Sequence, residues 1–238
     1  MTDIVDIHTH ILPGIDDGAK NWDVCMQMIQ KSWKAGVKRI FATPHFWPWG
    51  KNVAPATIYN LCSEAHWRAK KELGIEIPIY PGNEIFYHVD MIESIKSGRA
   101  LTLAGSSTVL VEFPVDIPYQ LFYRGIRDIC DAHYLPVIAH MERYLCLRKP
   151  GRIEELEEIG AMLQMNVEAF QGGFFDETSR WSKKCLQSQK IHFLASDMHN
   201  TGSRPPMSKE QLEWAAKKLK KNYLKEILSG NSRKIYPL

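Results

Sequence analysis

The chain has 238 residues, of which 45% are hydrophobic and 24% are charged; this composition indicates a folded globular protein and excludes a disordered one. The 30 basic and 27 acidic residues leave a net charge of +3, which argues against a nucleic-acid partner because such proteins concentrate basic residues on one face. No stretch reaches the roughly 18 apolar residues of a membrane span, so membrane insertion is not expected.

The amino-terminal residues predict a cytoplasmic protein, and the pattern of cysteines agrees with this. Asp3 and Asp6 stand where a secretory signal would carry basic residues before an apolar run. The five cysteines are odd in number, widely spaced and never arranged as Cys-x-x-Cys, so the sequence predicts neither a disulfide framework nor a zinc knuckle.

Helical patterns recur along the chain. Between Trp22 and Trp33 apolar residues recur at spacings of three and four, with Asn21 as a capping residue and Gly36 as a terminating residue. Further helices are predicted over residues 55–74, 91–97, 119–132, 152–159 and 178–187, and the tail over 207–238 reads as two helical pieces.

Seven short apolar segments alternate with these helices. They read "DIVDI", "VKRIFAT", "IEIPIY", "STVLVEF", "LPVIA", "AMLQMNV" and "IHFLAS". Apolar strands that alternate with helices predict a parallel sheet covered by helices, either open or closed into a barrel. No repeat, linker or low-complexity tract divides the chain, so residues 1–238 are expected to form a single domain.

Polar residues that can bind metal follow six of the seven predicted strands, and only the sixth strand lacks one. With the aspartate pair of the opening stretch, the set is His8, His10, Asp17, His45, Glu84, Glu112, His140, Asp197 and His199. Because the carboxyl ends of parallel strands meet at one edge, these five histidines and four carboxylates are expected to converge. The remaining histidines, at positions 66, 88, 133 and 192, lie on helices or within strands and are interpreted as structural.

The predicted cluster requires cations. Four carboxylates packed together would repel one another, and divalent ions remove that repulsion. Nine ligands are too many for one four-coordinate zinc ion but suit two or three ions with mixed imidazole and carboxylate coordination. Such a ligand set without thiolates fits manganese, iron or zinc.

Six motifs, in order along nearly the whole chain, resemble those of a known family. They are "DIHTHILPGIDDG", "TPH", "GNEI", "VEF", "VIAHMERY" and "ASDMHN" followed by "GSRPP". The sequence is similar to the polymerase and histidinol phosphatase (PHP) family, and within it to the bacterial manganese-dependent tyrosine-protein phosphatases found with capsule and exopolysaccharide genes.

The resemblance implies a fold, a cofactor and two further site residues. The fold is an α/β, distorted seven-stranded (β/α)7 TIM-like barrel, and the cofactor is three divalent metal ions, expected to be Mn²⁺ with Fe or Zn as alternatives. The nine residues above are the implied ligands, and Arg143 and Arg204 are the implied phosphate-binding residues. Two segments depart from the family pattern: the aromatic loop "FWPWGKN", whose Trp47 and Trp49 either stack on a phosphotyrosine ring or simply close the barrel mouth, and "NSRKI" near the carboxyl end.

The resulting hypothesis is a protein-tyrosine phosphatase that uses a metal-bridging hydroxide as nucleophile. Its expected partner is a phosphotyrosine protein, a bacterial tyrosine kinase in capsule or exopolysaccharide regulation. A tyrosyl leaving group has a pKa of roughly 10, so its departure needs less help from a general acid than that of an alkyl alcohol.

Other functions remain open at this point. The same metal site would serve a histidinol-phosphate-type phosphatase or a phosphodiesterase, and a metal-stabilised, non-catalytic binding module is a third possibility. A cysteine phosphatase is a further alternative, since "CSEAHWR" and "CLRKPGR" both place an arginine six positions after a cysteine. The spacing alone is weak support for it, because phosphate loops need several free backbone N–H groups.

Overall fold

The structure is a computed structural model that describes residues 3–173 and 175–236. Within these residues nine strands and eight α-helices are found. The strands are β1 (Ile4–Thr9), β2 (Val37–Ala42), β3 (His45–Phe46), β4 (Ile79–Pro81), β5 (Glu84–Phe86), β6 (Thr108–Glu112), β7 (Leu135–Ile138), β8 (Met162–Asn166) and β9 (Phe193–Ala195). The helices are α1 (Trp22–Ala35), α2 (Pro55–Leu73), α3 (Met91–Lys96), α4 (Tyr119–Asp131), α5 (Arg152–Glu158), α6 (Glu177–Gln187), α7 (Lys209–Lys218) and α8 (Lys221–Leu228).

Capping residues fix both ends of α1. At the start of α1, the side-chain oxygen of Asn21 accepts a hydrogen bond from the backbone N–H of Val24 at 3.0 Å. At its end, Gly36 adopts a left-handed φ of 106° and its N–H donates to the carbonyl of Trp33, a conformation that favours glycine. Each helix predicted before residue 190 is present, with its ends within one residue of the prediction, and the tail forms α7 and α8.

All seven predicted strands are present, and two short strands extend the pattern. β3 and β5 follow β2 and β4 after breaks of two residues each. β4 begins at Ile79 rather than at Ile75, directly after Pro78. Proline has no N–H to donate to a neighbouring strand, so it limits how far the ladder extends in that direction.

The strands close into a distorted barrel with seven strand positions. Every ladder is parallel; one sheet has the order β1-β2-β4 and the other the order β3-β5-β6-β7-β8-β9. The chain just after β9 pairs with β1, since the N–H of Asp197 donates to the carbonyl of His8 and the N–H of His10 donates to that of Met198, both at 2.9 Å. The interrupted pairs β2/β3 and β4/β5 connect the two sheets on the opposite side.

The barrel has an inner and an outer apolar layer. Val5, Ile7, Phe41, Val137 and Phe193 belong to a buried cluster on the inner faces of the strands. A larger cluster contains the other strand faces and the helices that cover them. Among the described residues no helix combines the length and the apolar character needed to cross a bilayer. The inner apolar cluster gives way to polar side chains at the carboxyl ends of the strands.

Candidate metal centre

The nine residues predicted as ligands all lie together at the carboxyl rim of the barrel. They fall into three overlapping groups whose ligand atoms lie within 4.8 Å of one another, with His140 adjoining them through Glu84 and Glu112. The groups are His8, His10, Glu84 and Asp197; His10, Asp17, His45 and His199; and His45, Glu84 and Glu112. The predicted convergence is therefore present in the structure.

The innermost group has the dimensions of a metal site. Glu84 Oε2 lies 3.2 Å from Nε2 of both His8 and His10. Asp197 Oδ1 lies 3.3 Å from His8 Nε2 and 3.5 Å from His10 Nε2, and the two imidazole nitrogens are 3.4 Å apart. Ligands placed about 2.0–2.1 Å from a tetrahedral ion are separated by about 3.3 Å, so these four atoms fit around one cation.

The second group opens to solvent. Asp17 Oδ1 lies 3.3 Å from His45 Nε2 and 3.2 Å from His199 Nε2. The Asp17 side chain is 61% exposed, whereas those of His10 and His199 are buried. A metal held here would have access to water, which is typical of catalytic sites and unlike closed structural sites.

Glu84 joins the groups to one another. Its Oε2 lies 3.1 Å from His45 Nδ1, and its Oε1 lies 2.8 Å from His140 Nε2. His140 Nε2 is also 3.4 Å from Glu112 Oε1. One carboxylate that contacts four histidines is suited to bridge adjacent cations.

Two buried polar atoms without a hydrogen bond support the same interpretation. Asp197 Oδ1 and His199 Nε2 are buried and make no hydrogen bond within the part of the chain described. Buried polar atoms without a hydrogen bond are rare, because no hydrogen bond offsets their desolvation. Both atoms belong to the ligand groups, where a cation would satisfy them.

The backbone is strained at two of the ligand positions. His140 has a φ of 31° and Asp197 a φ of 51°, so both non-glycine residues adopt left-handed conformations. Such conformations cost on the order of 1–3 kcal/mol each and are concentrated at functional sites. They turn the chain sharply just after β7 and β9 and direct both side chains into the cluster.

Gly18 allows the opening loop to approach β1. A Cβ atom at this position would lie 2.1 Å from the carbonyl oxygen of His10. The close approach brings the acidic pair beside the histidine, and Asp16 Oδ2 lies 2.7 Å from His10 Nδ1. Sequence reasoning assigned a role only to Asp17, whereas Asp16 is the residue that orients His10.

The carboxylates raise the proton affinity of two histidines. Burial alone would lower the pKa of His10, but hydrogen bonds to Asp16 and Glu84 raise it to about 10. Burial would also lower the pKa of His140. Hydrogen bonds to Glu112 and Glu84 outweigh that effect and raise the pKa to about 9. In the metal-free protein, protons therefore supply part of the positive charge that the cluster requires.

The carboxylates of the cluster stay ionised. Burial would raise the pKa of Glu84, yet the charge of His8 and hydrogen bonds from neighbouring histidines hold it well below its usual range. Burial would also raise the pKa of Asp197, but the charges of His8, His140 and His10 together lower it. His199 differs: burial and the charge of His10 lower its pKa to about 4, which leaves its ring neutral and available to a metal.

Arg143 and Arg204 both meet the cluster at Asp197. One guanidinium nitrogen of each lies close to Asp197 Oδ2, at 2.9 Å for Arg143 and 2.7 Å for Arg204. Arg204 also approaches Asp17 Oδ2 at 3.8 Å. About a third of each arginine side chain is exposed, 34% and 31%. Each guanidinium has more donors than Asp197 uses.

The sixth predicted strand, which supplies no ligand, supplies supporting side chains instead. Gln164 Oε1, on β8, accepts a hydrogen bond from the backbone N–H of His140 at 2.8 Å, and it lies 3.0 Å from His8 Nδ1. The Gln164 amide donates to Asn166 Oδ1, and the Asn166 amide donates to Asp197 Oδ2, at 2.8 and 2.9 Å. The sequence analysis missed both residues. Gln164 and Asn166 are polar residues two positions apart in the apolar run "MLQMN", so they share one face of the strand, and this pattern could have identified them.

The cysteine alternative does not fit the structure. Cys62 is buried within α2, and burial raises the pKa of its thiol to about 12. Cys146 lies in a 3-10 helix, and burial raises the pKa of its thiol as well. Because the thiolate is the nucleophile, a raised pKa makes a cysteine less reactive. Arg152 donates to the backbone carbonyl of Cys146 rather than framing a phosphate loop.

Residues 4–237 match the model of a family described as capsular polysaccharide synthesis, CpsB/CapC. The chain belongs to this family. Among CpsB/CapC proteins, it is 32% identical over 241 residues to the tyrosine-protein phosphatase CpsB of Streptococcus pneumoniae, covering 98% of both chains. It is 33% identical over 214 residues to the tyrosine-protein phosphatase YwqE of Bacillus subtilis, covering 88% of this chain and 82% of YwqE.

A solved structure of relatives in this family has the same fold as this chain. It comes from crystal structures of YwqE from Bacillus subtilis and CpsB from Streptococcus pneumoniae, described as metal-dependent tyrosine phosphatases. The TM-score is 0.88 at 28% identity, with 98% of this chain and 94% of the other covered. The resemblance identified from the motifs is thus confirmed by the family match and by the fold.

Proposed function

We propose that the chain is a metal-dependent protein-tyrosine phosphatase that opposes a bacterial tyrosine kinase in capsule or exopolysaccharide synthesis. The observation that carries the proposal is the convergence of nine ligand-type side chains beside two arginines that share Asp197. Family membership supports the same activity, since the curated relatives CpsB and YwqE are named tyrosine-protein phosphatases. The active unit proposed is one domain formed by residues 1–238.

The three ligand groups suit three divalent ions. His8, His10, Asp17, His45, Glu84, Glu112, His140, Asp197 and His199 would hold them. Nitrogen and oxygen ligands without thiolates fit Mn²⁺, with Fe or Zn as alternatives. When bound, divalent ions lower the pKa of water to produce a nucleophile near neutral pH and offset the charge of the phosphoryl group.

The two arginines would bind the phosphoryl oxygens. Each already donates to Asp197 Oδ2, and the remaining N–H groups of each guanidinium can form charge-assisted hydrogen bonds to a phosphate dianion. Asp197 fixes both side chains before substrate arrives, which reduces the reorganisation needed in the transition state.

A phosphotyrosine ester suits this arrangement. No general acid was identified from the sequence, and a phenolate with a pKa of roughly 10 leaves without full protonation more readily than an alkoxide. The five free cysteines fit a reducing compartment, and we place the reaction in the cytoplasm, where a tyrosine kinase would expose its phosphorylated residues.

Substrate comparison tests the proposal. Metal-stripped protein receives Mn²⁺, Fe²⁺ or Zn²⁺ and is assayed on a phosphotyrosine peptide, histidinol phosphate and a phosphodiester. We expect Mn²⁺ to restore turnover and the phosphotyrosine peptide to give the highest kcat/KM. Faster turnover of histidinol phosphate or of the diester would identify one of the other two metal-dependent activities instead.

Two variants accompany the assay. His8→Ala removes a buried ligand-type side chain and should abolish turnover, whereas His133→Ala changes an exposed histidine outside the cluster and should retain it. A preparation with full metal occupancy that hydrolyses no phosphoester would show that the chain is a non-catalytic binding module.

A further inference from the structure

The loop after β3 packs against Phe86 of β5 and forms an aromatic cluster with it, next to the metal centre. Trp47 stacks on Phe86 with ring centroids 4.6 Å apart and an interplanar angle of 26°. Trp49 meets Phe86 edge-on at 5.5 Å and is 59% exposed. We refer to Trp47, Trp49 and Phe86 as the aromatic wall.

Hydrogen bonds hold Trp47 in place. Asn52 Oδ1 accepts from the backbone N–H of Trp47 at 2.8 Å, and the Asn52 amide donates to the Trp47 carbonyl at 2.7 Å. The N–H of Gly50 donates to the same carbonyl at 2.8 Å. With Phe86 packed against its ring, Trp47 is fixed before any ligand binds, which lowers the ordering cost of binding.

An open cavity of about 370 Å³ lies where Trp47 of the aromatic wall adjoins the exposed ligand group, which is the group of His10, Asp17, His45 and His199. Its lining includes Asp17 and His45 from the cluster, Trp47 from the wall, and Lys51. The Trp47 ring centroid lies 5.8 Å from that of His45, and both rings border this cavity.

Building on the proposed function, we infer that this cavity is the aryl subsite of the enzyme and that Trp47 is its main contact with the phosphotyrosine ring. In an aryl ester the ring is one oxygen atom away from phosphorus. A phosphoryl group at the exposed ligand group would therefore place the ring in the adjoining cavity, which Trp47 lines and where two aromatic rings can stack. Lys51, in the same lining, adds positive charge that suits an anionic substrate.

The subsite would discriminate between aryl and alkyl phosphates. A phosphoserine side chain has no ring and would leave the cavity filled with water, so it gains nothing from Trp47. The aromatic wall thus adds a binding preference for tyrosine to the difference in leaving-group chemistry, and the two contributions can be separated by ligands that are not hydrolysed.

Binding of phosphonates isolates the ring contribution. Calorimetry on the Mn²⁺-loaded 238-residue chain measures the Kd of phenylphosphonate and of methylphosphonate, which share the anionic group. In Trp47→Ala the Kd of phenylphosphonate should rise about tenfold relative to that of methylphosphonate. Trp47→Phe should retain most of the preference. Trp67→Ala, an exposed tryptophan on α2 outside this cavity, is the matched control and should retain all of it.

Turnover and a second variant complete the test. Phe86→Leu removes the stacking partner of Trp47 but keeps an apolar side chain, and it should weaken phenylphosphonate binding selectively, by less than Trp47→Ala. If Trp47→Ala changes both phosphonates equally, or neither, the inference is wrong. If wild-type protein does not hydrolyse the phosphotyrosine peptide, the proposed function is wrong, yet the phosphonate ratio still decides whether Trp47 binds an aryl ring.

Discussion

Gln164 Oε1 lies 3.0 Å from Nδ1 of His8, a residue 156 positions earlier in the chain. This contact leaves His8 Nε2 free to face Glu84 and Asp197. Partners of this type fix the tautomer and orientation of a metal-binding imidazole. The same oxygen accepts from the backbone of His140, so one buried amide aligns two histidines.

Gln164→Leu should therefore weaken metal binding without removing a ligand. We expect metal affinity to fall about 10- to 100-fold, the usual effect of losing such a partner, with turnover recovering at high Mn²⁺ concentration. Metal titration of stripped protein measures the change. Gln187→Leu, on the exposed end of α6, is the control, and equal affinity in both variants would contradict the positioning role.

Arg143→Ala and Arg204→Ala should each lower kcat/KM for a phosphotyrosine peptide by about 10- to 100-fold, because each removes charge-assisted hydrogen bonds worth about 1.5–3 kcal/mol. The inhibition constant of inorganic phosphate should rise in parallel while metal content is unchanged. Arg127→Ala, an exposed arginine on α4, should behave as wild type. Intact turnover and intact phosphate affinity in both variants would show that the arginines only brace Asp197.

Metal loading should release protons even above neutral pH. Hydrogen bonds to carboxylates raise the pKa of His10 to about 10 and that of His140 to about 9, so both are protonated at pH 8 in stripped protein. Ligation requires the neutral imidazole, and about two protons should therefore leave per chain. Calorimetric titration with Mn²⁺ at pH 8, in buffers of different ionisation enthalpy, counts them. Heats that do not depend on the buffer would contradict the prediction.

His192 should make the protein sensitive to acid. Burial, with the charges of Lys234 and Lys190, lowers the pKa of His192 to about 4, although Glu157 Oε1 lies 4.0 Å from its Nε2. Below its ordinary pKa of about 6.5 the unfolded chain binds the proton and the folded chain does not. Stability contributed by the neutral ring is therefore complete above pH 6.5 and falls, by up to about 3 kcal/mol, as pH drops towards 4.

His192→Gln removes that titration and keeps an acceptor for the backbone N–H of Leu163, which donates to His192 Nδ1. Urea unfolding of stripped protein at pH 7.5 and pH 4.5 should show a smaller loss of stability in the variant than in wild type. His133→Gln, at an exposed position, should lose as much stability as wild type. Parallel losses in all three proteins would rule out His192 as the cause.

The fold was predictable because the local signals agreed with one another. Asn21 and Gly36 stand where α1 begins and ends, and apolar strands alternate with helices along the chain. The sequence left open whether the sheet closes. Closure depends on the pairing of β1 with the chain after β9, a contact between opposite ends of the sequence that no local pattern encodes.

The metal-ligand candidates were predictable because they follow the predicted strands. The residues that orient them through hydrogen bonds were not predictable. Asp16 and Asp17 look alike in sequence, and only the turn at Gly18 decides that one orients His10 while the other faces His45 and His199. Likewise, the role of Gln164 on β8 could not be inferred from the sequence, because it depends on contacts with His8 and His140 from other strands of the barrel.

The ligands of the innermost group extend from His8 to Asp197, almost the whole chain. An unfolded polypeptide would have to close very large loops to bring them together, and the entropy of that closure disfavours early chelation. Cations are therefore expected to enter after the barrel has formed, rather than to nucleate it. Expression in medium depleted of divalent cations should yield a folded but inactive protein that becomes active when the cations are added afterwards.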